Sequence, residues 1–569
     1  MADSNYWTRN RRYTRRGFIR GAGFAAGVVT LAPVVAACGS NSNKNNTGSS
    51  SSASGTAATT GGTAAAGATK AAANGPKPVK GGTLTIRSFS DVSVLDYAFN
   101  HDVYSGFVIG NCVEPLMTVD TQAQPKGLLA TSVENPDDRT YVFKLRQGVK
   151  FQDGTDFNAD AVEYSMNRIH TDKTSFRYQD LIYIDKIEKP DQSTVKITLT
   201  NPYAPFLYNL TGDAGRVISP ATGQKLGKDK LSTDLTDQGT GPYKFVEWKT
   251  GDHVTLQRNE NYWNKDASGT QLPYLDKILF RVIPDDNVAL AALRSGEVDA
   301  FRPAEGPPPK DTATVKSDAS LLYKAIPGLG FNYIVFNESK DPFGSKELRQ
   351  AVSYAIDRSV IAKNVLFDTA IPLDVIFAPS IWTYDPSYQP YLKRDLAKAK
   401  QLLAQAGKPN GFAFTYLTSS GSPTGQQTAE LIKDQLKEAG MDMSIQQVEF
   451  AKLTQALTAG EHQAGNIGWS AGYDPDGWVY NHFSTKGSSN VRSHYSNPQV
   501  DQLLEQARTT LDQAKRKPLY QQAQQIFMGD AVFCVLTDGN TIDLSTRKVQ
   551  NYPIGPTSAV GVSEVWKTA

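Results

Sequence analysis

Cysteine, histidine and recognisable catalytic motifs are scarce in this chain of 569 residues. Its six histidines lack the His-Glu-x-x-His and Cys/His spacings of metalloproteases and structural metal sites. The Gly-x-x-x-x-Gly-Lys-Ser/Thr loop that cradles nucleotide phosphates is also absent. No nucleophile stands beside a positioned base in the pattern of a hydrolase. The sequence therefore predicts neither a metal, a cofactor nor an enzyme.

Positive charge is concentrated at the front of the chain. The whole chain carries +2 and residues 1–37 carry +5, which leaves −3 for the remainder. The charges of that remainder are of both signs and well mixed, without a basic run. We therefore expect no nucleic-acid partner.

Two of the three cysteines, Cys112 and Cys534, lie in the part of the chain that should fold. Both have apolar neighbours, such as Val113 and Phe533. Small apolar side chains of this kind pack readily in a core. We expect two buried free thiols rather than a disulfide.

Residues 21–37 form an uncharged apolar segment that follows six arginines. It is shorter than the roughly 20 apolar residues of a membrane-spanning helix, so a signal peptide is predicted. Residues 14–20, with the pair Arg15 and Arg16, resemble a twin-arginine export signal, although an ordinary basic leader is the alternative. Residues 35–38 resemble a lipobox, in which Cys38 is lipidated.

Residues 38–79 are rich in Ser, Gly, Ala, Asn and Thr and nearly free of large apolar side chains. Such a composition cannot bury enough apolar surface to offset the entropy of ordering the chain. We expect a disordered tether that holds a folded body against the outer face of the cell membrane, or in the periplasm, by the lipid on Cys38.

The most distinctive stretch is 466–483, where aromatic residues surround an Asp-Pro-Asp-Gly turn signal. Its aromatic residues have no clean period of 2 or 3.6, which argues against a buried strand or helix. One interpretation is a concave wall with a carboxylate for a cationic group. The alternative is a turn whose aspartates cap backbone amides while the aromatic rings pack in the core.

The remaining 490 or so residues alternate between strand and helix patterns, which predicts an α/β architecture of two or three domains. Asn158 should cap a helix that ends near Ile169, and Gly407 should end another. Asn497 and Pro498 should start a third helix. Residues 531–536 should form a terminal apolar strand.

Six ordered segments resemble the bacterial extracellular solute-binding proteins of family 5, the dipeptide- and oligopeptide-binding components of ABC importers. They are residues 140–168, 239–245, 259–263, 290–300, 348–358 and 395–407. The resemblance implies a two-lobed, hinged periplasmic-binding-protein fold of type II with an α/β subdomain inserted in lobe I. Its boundaries, carried over, place lobe I at 80–115, 219–325 and 521–569, the insertion at 116–218 and lobe II at 326–520.

In this family a Gly-Trp-x-Ala-Asp segment lines the cleft, and its aspartate pairs with the ammonium group of a peptide. The resemblance makes Trp469 a ligand contact, but Gly472 stands where many oligopeptide binders have that aspartate. Asp474 is therefore assigned to the cation, with Asp476 as second choice. Tyr473 and Trp478 are assigned to the apolar walls.

The function implied is capture of a small ligand, preferably a peptide, by a monomer that delivers it to the permease and ATPase subunits of an ABC importer. The same clamp could instead bind an oligosaccharide or a metallophore. A secreted hydrolase is the alternative from another class, and a surface sensor or chaperone with this fold is a further one.

Overall fold

The computed structural model describes residues 77–120, 123–303, 305–470, 472–554 and 561–568. The predicted export signal with Arg15 and Arg16, the predicted lipidation site Cys38 and nearly all of the predicted tether lie outside the described residues. Within the described ranges, no helix is both long enough and apolar enough to cross a membrane.

Strands and helices alternate along the described chain. The strands are β1 Thr83–Ser88, β2 Met117–Val119, β3 Pro125–Gly127, β4 Ala130–Asp137, β5 Thr140–Leu145, β6 Ile184–Asp191, β7 Thr194–Leu199, β8 Tyr243–Lys249, β9 His253–Arg258, β10 Lys277–Val282, β11 Ala300–Phe301, β12 Leu321–Ile326, β13 Phe331–Phe336, β14 Ala370–Pro372, β15 Ala413–Ser419, β16 Asp442–Val448, β17 Ala464–Trp469, β18 Phe533–Gly539, β19 Thr541–Thr546, β20 Val549–Gln550 and β21 Trp566–Lys567. The helices are α1 Val103–Cys112, α2 Ala159–His170, α3 Phe206–Asn209, α4 Pro220–Leu231, α5 Asp286–Ser295, α6 Thr312–Ser317, α7 Lys346–Ala355, α8 Arg358–Val360, α9 Leu396–Gln405, α10 Pro423–Lys437, α11 Phe450–Thr458, α12 Asp476–Phe483, α13 Pro498–Thr509 and α14 Gln513–Gly529.

Two large mixed sheets define two lobes. The sheet of lobe I has seven strands in the order β12-β19-β11-β1-β10-β9-β8, and the sheet of lobe II has six in the order β14-β18-β13-β17-β15-β16. Parallel pairs such as β1–β10 and β15–β16 require crossover connections, which the intervening helices provide. This is the α/β organisation that the sequence predicts.

A four-stranded sheet in the order β4-β5-β7-β6 forms a subdomain inserted in lobe I. Its strands are antiparallel, and α2 packs on one face with Val162 and Ile169 buried. The buried side chains of this subdomain and of the β1–β10 region form one continuous hydrophobic cluster. The inserted subdomain is therefore packed into lobe I rather than tethered to it.

Lobe II has a hydrophobic core on each face of its sheet. One core includes Leu348, Leu403 and Ile432 from helices α7, α9 and α10. The other includes Phe483 and Phe527 from α12 and α14. Burial on both faces explains why the β13 and β18 segments are nearly continuous apolar runs.

The chain crosses between the lobes twice, at residues 327–330 and at Asn540. The two crossings touch, because a Cβ atom placed on Gly328 would lie 2.3 Å from the carbonyl oxygen of Gly539. A Cβ on Gly330 would similarly lie 2.3 Å from the carbonyl oxygen of Trp469. Only glycine allows this close backbone approach between the crossings and lobe II.

The second crossing corrects a predicted boundary. The predicted boundary returned the chain to lobe I at residue 521, but α14 packs Phe527 and Met528 into the lobe II core. Strand β18 then pairs with β13 in the lobe II sheet, and it is not terminal because β19 follows. Burial of this helix and strand keeps the chain in lobe II until Gly539, and only then does lobe I resume.

Several local predictions are confirmed. The Asn158 side chain accepts a hydrogen bond from the Ala161 amide and caps α2. Gly407, with φ of 73°, follows the end of α9, and Asn497 caps α13. Cys112 and Cys534 are buried free thiols, as their apolar neighbours predicted.

Candidate functional site

A cavity of about 400 Å³ lies where the two lobes meet. Lobe I contributes the segment around Pro307 and Thr312, together with Ile542 just after the second crossing. Lobe II contributes residues at the crossing-side ends of its strands, among them Asn466 and Thr537. Because both lobes supply walls, any change in their relative orientation must change this cavity.

Strand register places the polar groups of the cavity. Asn332 lies opposite Gly468 on the paired strands β13 and β17. The Asn466 side chain donates hydrogen bonds to the Asn332 side-chain oxygen at 2.8 Å and to the Tyr333 carbonyl at 3.0 Å. These bonds fix the orientation of the Asn466 amide, so the cavity presents hydrogen-bonding groups that are set before any ligand arrives.

Phe450 begins α11 and forms an apolar part of the wall. Its ring packs edge-on against Tyr104 of lobe I, with centroids 6.1 Å apart. This contact joins the lobes beside the cavity. Sequence reasoning missed Phe450 and the polar lining residues, because they are separated along the chain and no motif unites them.

Trp469 ends β17 at the lobe junction, but it does not line the cavity. Its ring packs edge-on against His482 with centroids 4.3 Å apart, and the Arg492 guanidinium lies 5.8 Å from the ring centroid. Tyr473 packs against the same lobe II core. The ligand contact assigned to Trp469 remains a prediction, as does the wall role of Tyr473.

Trp478 has a different environment from the predicted wall. It lies on α12 and is 2 % exposed. Phe331 and Phe377 surround it, at centroid distances of 5.5 and 5.6 Å. Residues 476–483 thus form a buried helix, contrary to the predicted absence of one, because aromatic rings from distant segments cover most of its surface.

Asp474 forms an internal ion pair rather than an open cation site. It is 7 % exposed, and its two oxygens accept hydrogen bonds from Arg516 at 2.7 and 2.8 Å. One oxygen also accepts from the Asp476 backbone amide at 3.0 Å, before α12. A ligand ammonium group would have to displace the guanidinium, so this geometry replaces the predicted role with a structural one.

Asp476 is likewise paired within the protein. It is 1 % exposed and accepts a hydrogen bond from Arg508 at 2.9 Å. Burial alone would lower the pKa of Arg508, but the Asp476 carboxylate outweighs that cost and the pKa is raised well above its ordinary value. Burial also raises the pKa of the Asp476 carboxyl, and the Arg508 guanidinium opposes that shift. The second-choice cation site is therefore also occupied by an arginine of the chain itself.

The Asp476–Arg508 pair also contacts the inserted subdomain. Arg508 donates to the Tyr203 hydroxyl at 3.1 Å, and its carbonyl oxygen accepts from the Ala204 amide at 2.9 Å. Nearby, the Tyr183 hydroxyl donates to Glu505 at 2.8 Å. The inserted subdomain is therefore hydrogen-bonded to α13 of lobe II in this arrangement of the lobes.

Removing the two hydroxyl groups in a Tyr183→Phe/Tyr203→Phe variant is expected to favour a more open arrangement. Each hydrogen bond that is lost should reduce the stability of the present arrangement, relative to a more open one, by about 0.5–1.5 kcal/mol. The measurement is the radius of gyration of the ligand-free protein by small-angle X-ray scattering. Tyr164→Phe, whose ring packs within the lobe I cluster, is the control. Equal radii for all variants would show that these contacts do not hold the lobes together.

Arg492 is a buried cation that the sequence analysis did not identify. It is 7 % exposed, and none of the described carboxylates lies within ion-pair distance of it. Burial lowers the pKa of neighbouring His482 to about 3, with a further contribution from Arg492, so His482 is neutral at physiological pH. Arg492 lies near the Trp469 ring and outside the cavity lining.

Among the described residues, no group of three or more His, Cys, Asp or Glu side chains is arranged to hold a metal ion.

Known proteins share both the sequence and the fold. The family model described as "Bacterial extracellular solute-binding proteins, family 5 Middle" matches residues 124–490. The glutathione-binding protein GsiB of Escherichia coli K12 is 32 % identical over 480 residues, which covers 82 % of this chain and 91 % of that protein. The GsiB of Pectobacterium atrosepticum is 31 % identical over 478 residues, which covers 82 % and 90 %.

Two solved structures show the same two-lobed architecture. DppA of Helicobacter pylori, in complex with the peptide STSA, superposes with a TM-score of 0.78 at 28 % identity and covers 86 % of this chain and 98 % of its own. AppA of Bacillus subtilis, in complex with a nonapeptide, gives a TM-score of 0.79 at 26 % identity and covers 87 % and 100 %. The chain therefore belongs to the bacterial extracellular solute-binding proteins of family 5.

Proposed function

We propose that this protein captures a small peptide-like ligand in the cavity between its lobes and delivers it to the permease of an ABC importer. The observation that carries the proposal is the cavity itself, whose walls come from both lobes in a member of this family. Its volume of about 400 Å³ is in the range of small-molecule sites. The ligands named for GsiB, DppA and AppA support a peptide-like cargo.

The mechanism follows from the two crossings. A ligand that contacts both walls binds the closed arrangement better than the open one, so it shifts the population towards closure. The short crossings at 327–330 and Asn540 serve as the hinge. The closed form then docks on the permease, which works with a separate ATPase subunit.

The proposal includes a site of action outside the cytoplasm. The basic leader with Arg15 and Arg16 directs export, and lipid attached to Cys38 holds the mature protein at the membrane. Residues 38–79 act as the tether, which lets the monomeric folded body turn towards its permease. This part of the proposal rests on the sequence patterns of those segments.

Gly468→Leu is expected to weaken capture strongly without unfolding the protein. Gly468 lines the cavity, and a Cβ atom there would meet its nearest neighbours only at 3.9 Å. A leucine at this position would occupy ligand space, and we expect affinity to fall by about ten-fold or more, which corresponds to 1.4 kcal/mol. Native mass spectrometry of the gently purified protein should detect a bound small molecule in the wild type and not in this variant.

Gly529→Leu is the matched control, because Gly529 ends α14 outside the cavity and a Cβ atom there has no neighbour within 4 Å among the described residues. It should retain the small molecule. Equal ligand occupancy in the wild type and in Gly468→Leu would show that the cavity is not the site of capture.

A further inference from the structure

The cavity between the lobes is lined without a single ionisable side chain among the described residues. Of its 25 lining residues, three are asparagines and eight are serines or threonines, and the others are apolar residues or glycine. The asparagines come from both sides of the junction, as Asn332 and Asn466 from lobe II and Asn540 from the second crossing. The lining is thus polar and neutral, with apolar patches such as Phe450 and Ile542.

The two acidic residues next to the lining on strands β18 and β19 do not change this picture. Asp538 stands between the lining residues Thr537 and Gly539 on β18 but does not itself line the cavity. One of its carboxylate oxygens would lie 3.2 Å from a Cβ atom on Gly328, at the first crossing. Asp543 follows the lining residue Ile542, and its carboxylate lies 3.4 Å from the Lys324 ammonium group on the neighbouring strand.

The buried arginines near the junction make their contacts outside the cavity. The Arg87 guanidinium pairs with Asp286 and Glu305, and Arg302 pairs with the same Glu305. Arg492 approaches the Trp469 ring instead of the cavity. A ligand in the cavity therefore meets neither a cation nor an anion of the lining.

The neutral, polar lining favours uncharged ligand groups over charged ones because of the free energy of desolvation. Moving a carboxylate or ammonium group from water into a closed site costs several kcal/mol unless an opposite charge meets it. Burying a hydroxyl or amide group costs less desolvation free energy than burying a charge. Hydrogen bonds to asparagine, serine and threonine side chains can offset that cost. Phe450 and the aliphatic residues can cover the apolar faces of the same group.

We infer that the part of the ligand enclosed by this cavity is an uncharged polar group, rich in amide or hydroxyl functions, and not a free peptide terminus. The inference rests on the proposed capture of a ligand in this cavity and specifies the chemistry of the enclosed group. Charged ends of a longer ligand remain outside the cavity. Blocked or internal peptide segments and neutral sugars share the required chemistry, and free dipeptides do not.

The test is a calorimetric titration of the ligand-depleted full-length protein with four probes. They are a mixture of random dipeptides with free termini, the same mixture acetylated and amidated at its ends, a mixture of neutral disaccharides, and glutathione. We expect one of the two neutral mixtures to bind at least about ten-fold more tightly than both charged probes. Preference for the blocked peptides or for the disaccharides then identifies the source of the neutral group.

A charge placed in the lining tests the same inference independently. Thr424 lines the cavity in the first turn of α10. Thr424→Lys should weaken the preferred neutral mixture and strengthen glutathione, whereas the uncharged Thr424→Gln, which also adds bulk to the cavity, should not strengthen glutathione. Both variants introduce a longer, unbranched side chain in place of threonine, so the comparison between them isolates the charge.

The outcomes separate the two claims. Tighter binding of glutathione or of free dipeptides by the wild type would overturn the neutral-cavity inference and leave the solute-binding function intact. Binding of none of the probes, together with unchanged X-ray scattering on their addition, would count against both. A neutral preference that Thr424→Lys reduces and Thr424→Gln preserves would establish the inference.

Discussion

Replacing Asp474 with alanine is expected to lower the free energy of unfolding by about 3–5 kcal/mol, the usual cost of removing one partner from a buried ion pair. The variant leaves the Arg516 guanidinium without its carboxylate at a site where Arg516 is only 4 % exposed. It also removes the acceptor of the Asp476 backbone amide at the start of α12. Denaturant unfolding followed by tryptophan fluorescence measures the change.

A surface ion pair gives the matched control. Lys150 and Asp156 are 2.6 Å apart, but their side chains are 56 % and 72 % exposed. Asp156→Ala should change stability by no more than about 1 kcal/mol. If Asp474→Ala is instead as stable as the wild type and loses ligand affinity, the sequence-based assignment of Asp474 to a cationic ligand is correct and the structural role is wrong.

Removing both partners should cost less than removing one. In an Asp474→Leu/Arg516→Met variant no unpaired charge stays buried, and apolar side chains fill similar volume. Arg516 also donates to the Ala507 carbonyl at 3.0 Å and to the Tyr520 hydroxyl at 3.0 Å, so recovery will be partial. A double variant less stable than Asp474→Ala would show that these secondary hydrogen bonds outweigh the unpaired charge.

The structure of residues 466–483 could not be decided from the sequence of that segment alone. The Asp-Pro-Asp-Gly segment reads equally well as a turn with open carboxylates or as the start of a helix with capped amides. The choice depends on Arg516 and Arg508, which lie more than 30 residues further along the chain. The alternative in which the aspartates cap amides and the rings pack in the core describes Asp474 and Trp478 as the structure has them.

The fold was more predictable than the site, because its signals are local. Asn158, Gly407 and Asn497 mark helix ends by their own chemistry, and the alternation of strand and helix implies layered α/β lobes. The boundary at residue 521 failed because the membership of β18 in a sheet depends on pairing with β13, some 200 residues earlier. Periodicity identifies a strand but not its partner.

The cavity lining could not be recognised in the sequence. Its serine, threonine and asparagine residues are scattered from Thr312 to Asn540, and these residue types are common in surface loops. Only the crossing of the chain at the hinge and the register of β13 against β17 bring them together. Charged residues would have marked a charged site in the sequence, whereas serine, threonine and asparagine residues do not mark a neutral one.

Two buried carboxylates beside the second crossing should make stability depend on pH. Asp538 is 5 % exposed, and burial raises its pKa to about 7. Burial also raises the pKa of Asp543 to about 6, although Lys324 opposes the shift. In the unfolded chain these carboxyl groups have pKa values of about 3.9.

The direction of the effect follows from proton uptake. Between about pH 4 and pH 7 the folded protein holds a proton on Asp538 that the unfolded chain has released. The stabilisation linked to this proton is present in full below the unfolded pKa, and it is lost as the pH rises through the folded value. The free energy of unfolding should therefore decrease over this range.

Asp538→Asn removes the titration and keeps the shape of the side chain. We expect it to exceed the wild type in stability at pH 8 by on the order of 1–3 kcal/mol, because the wild type then buries an unpaired carboxylate, and to lose this advantage at pH 5. Thermal unfolding at both pH values measures the difference, with the exposed Asp156→Asn as control. If the difference in stability between Asp538→Asn and the wild type is the same at both pH values, this carboxyl group is already ionised in the folded protein. Because Asp538 lies against the Gly328 crossing, that result would also mean that the hinge region accommodates its charge.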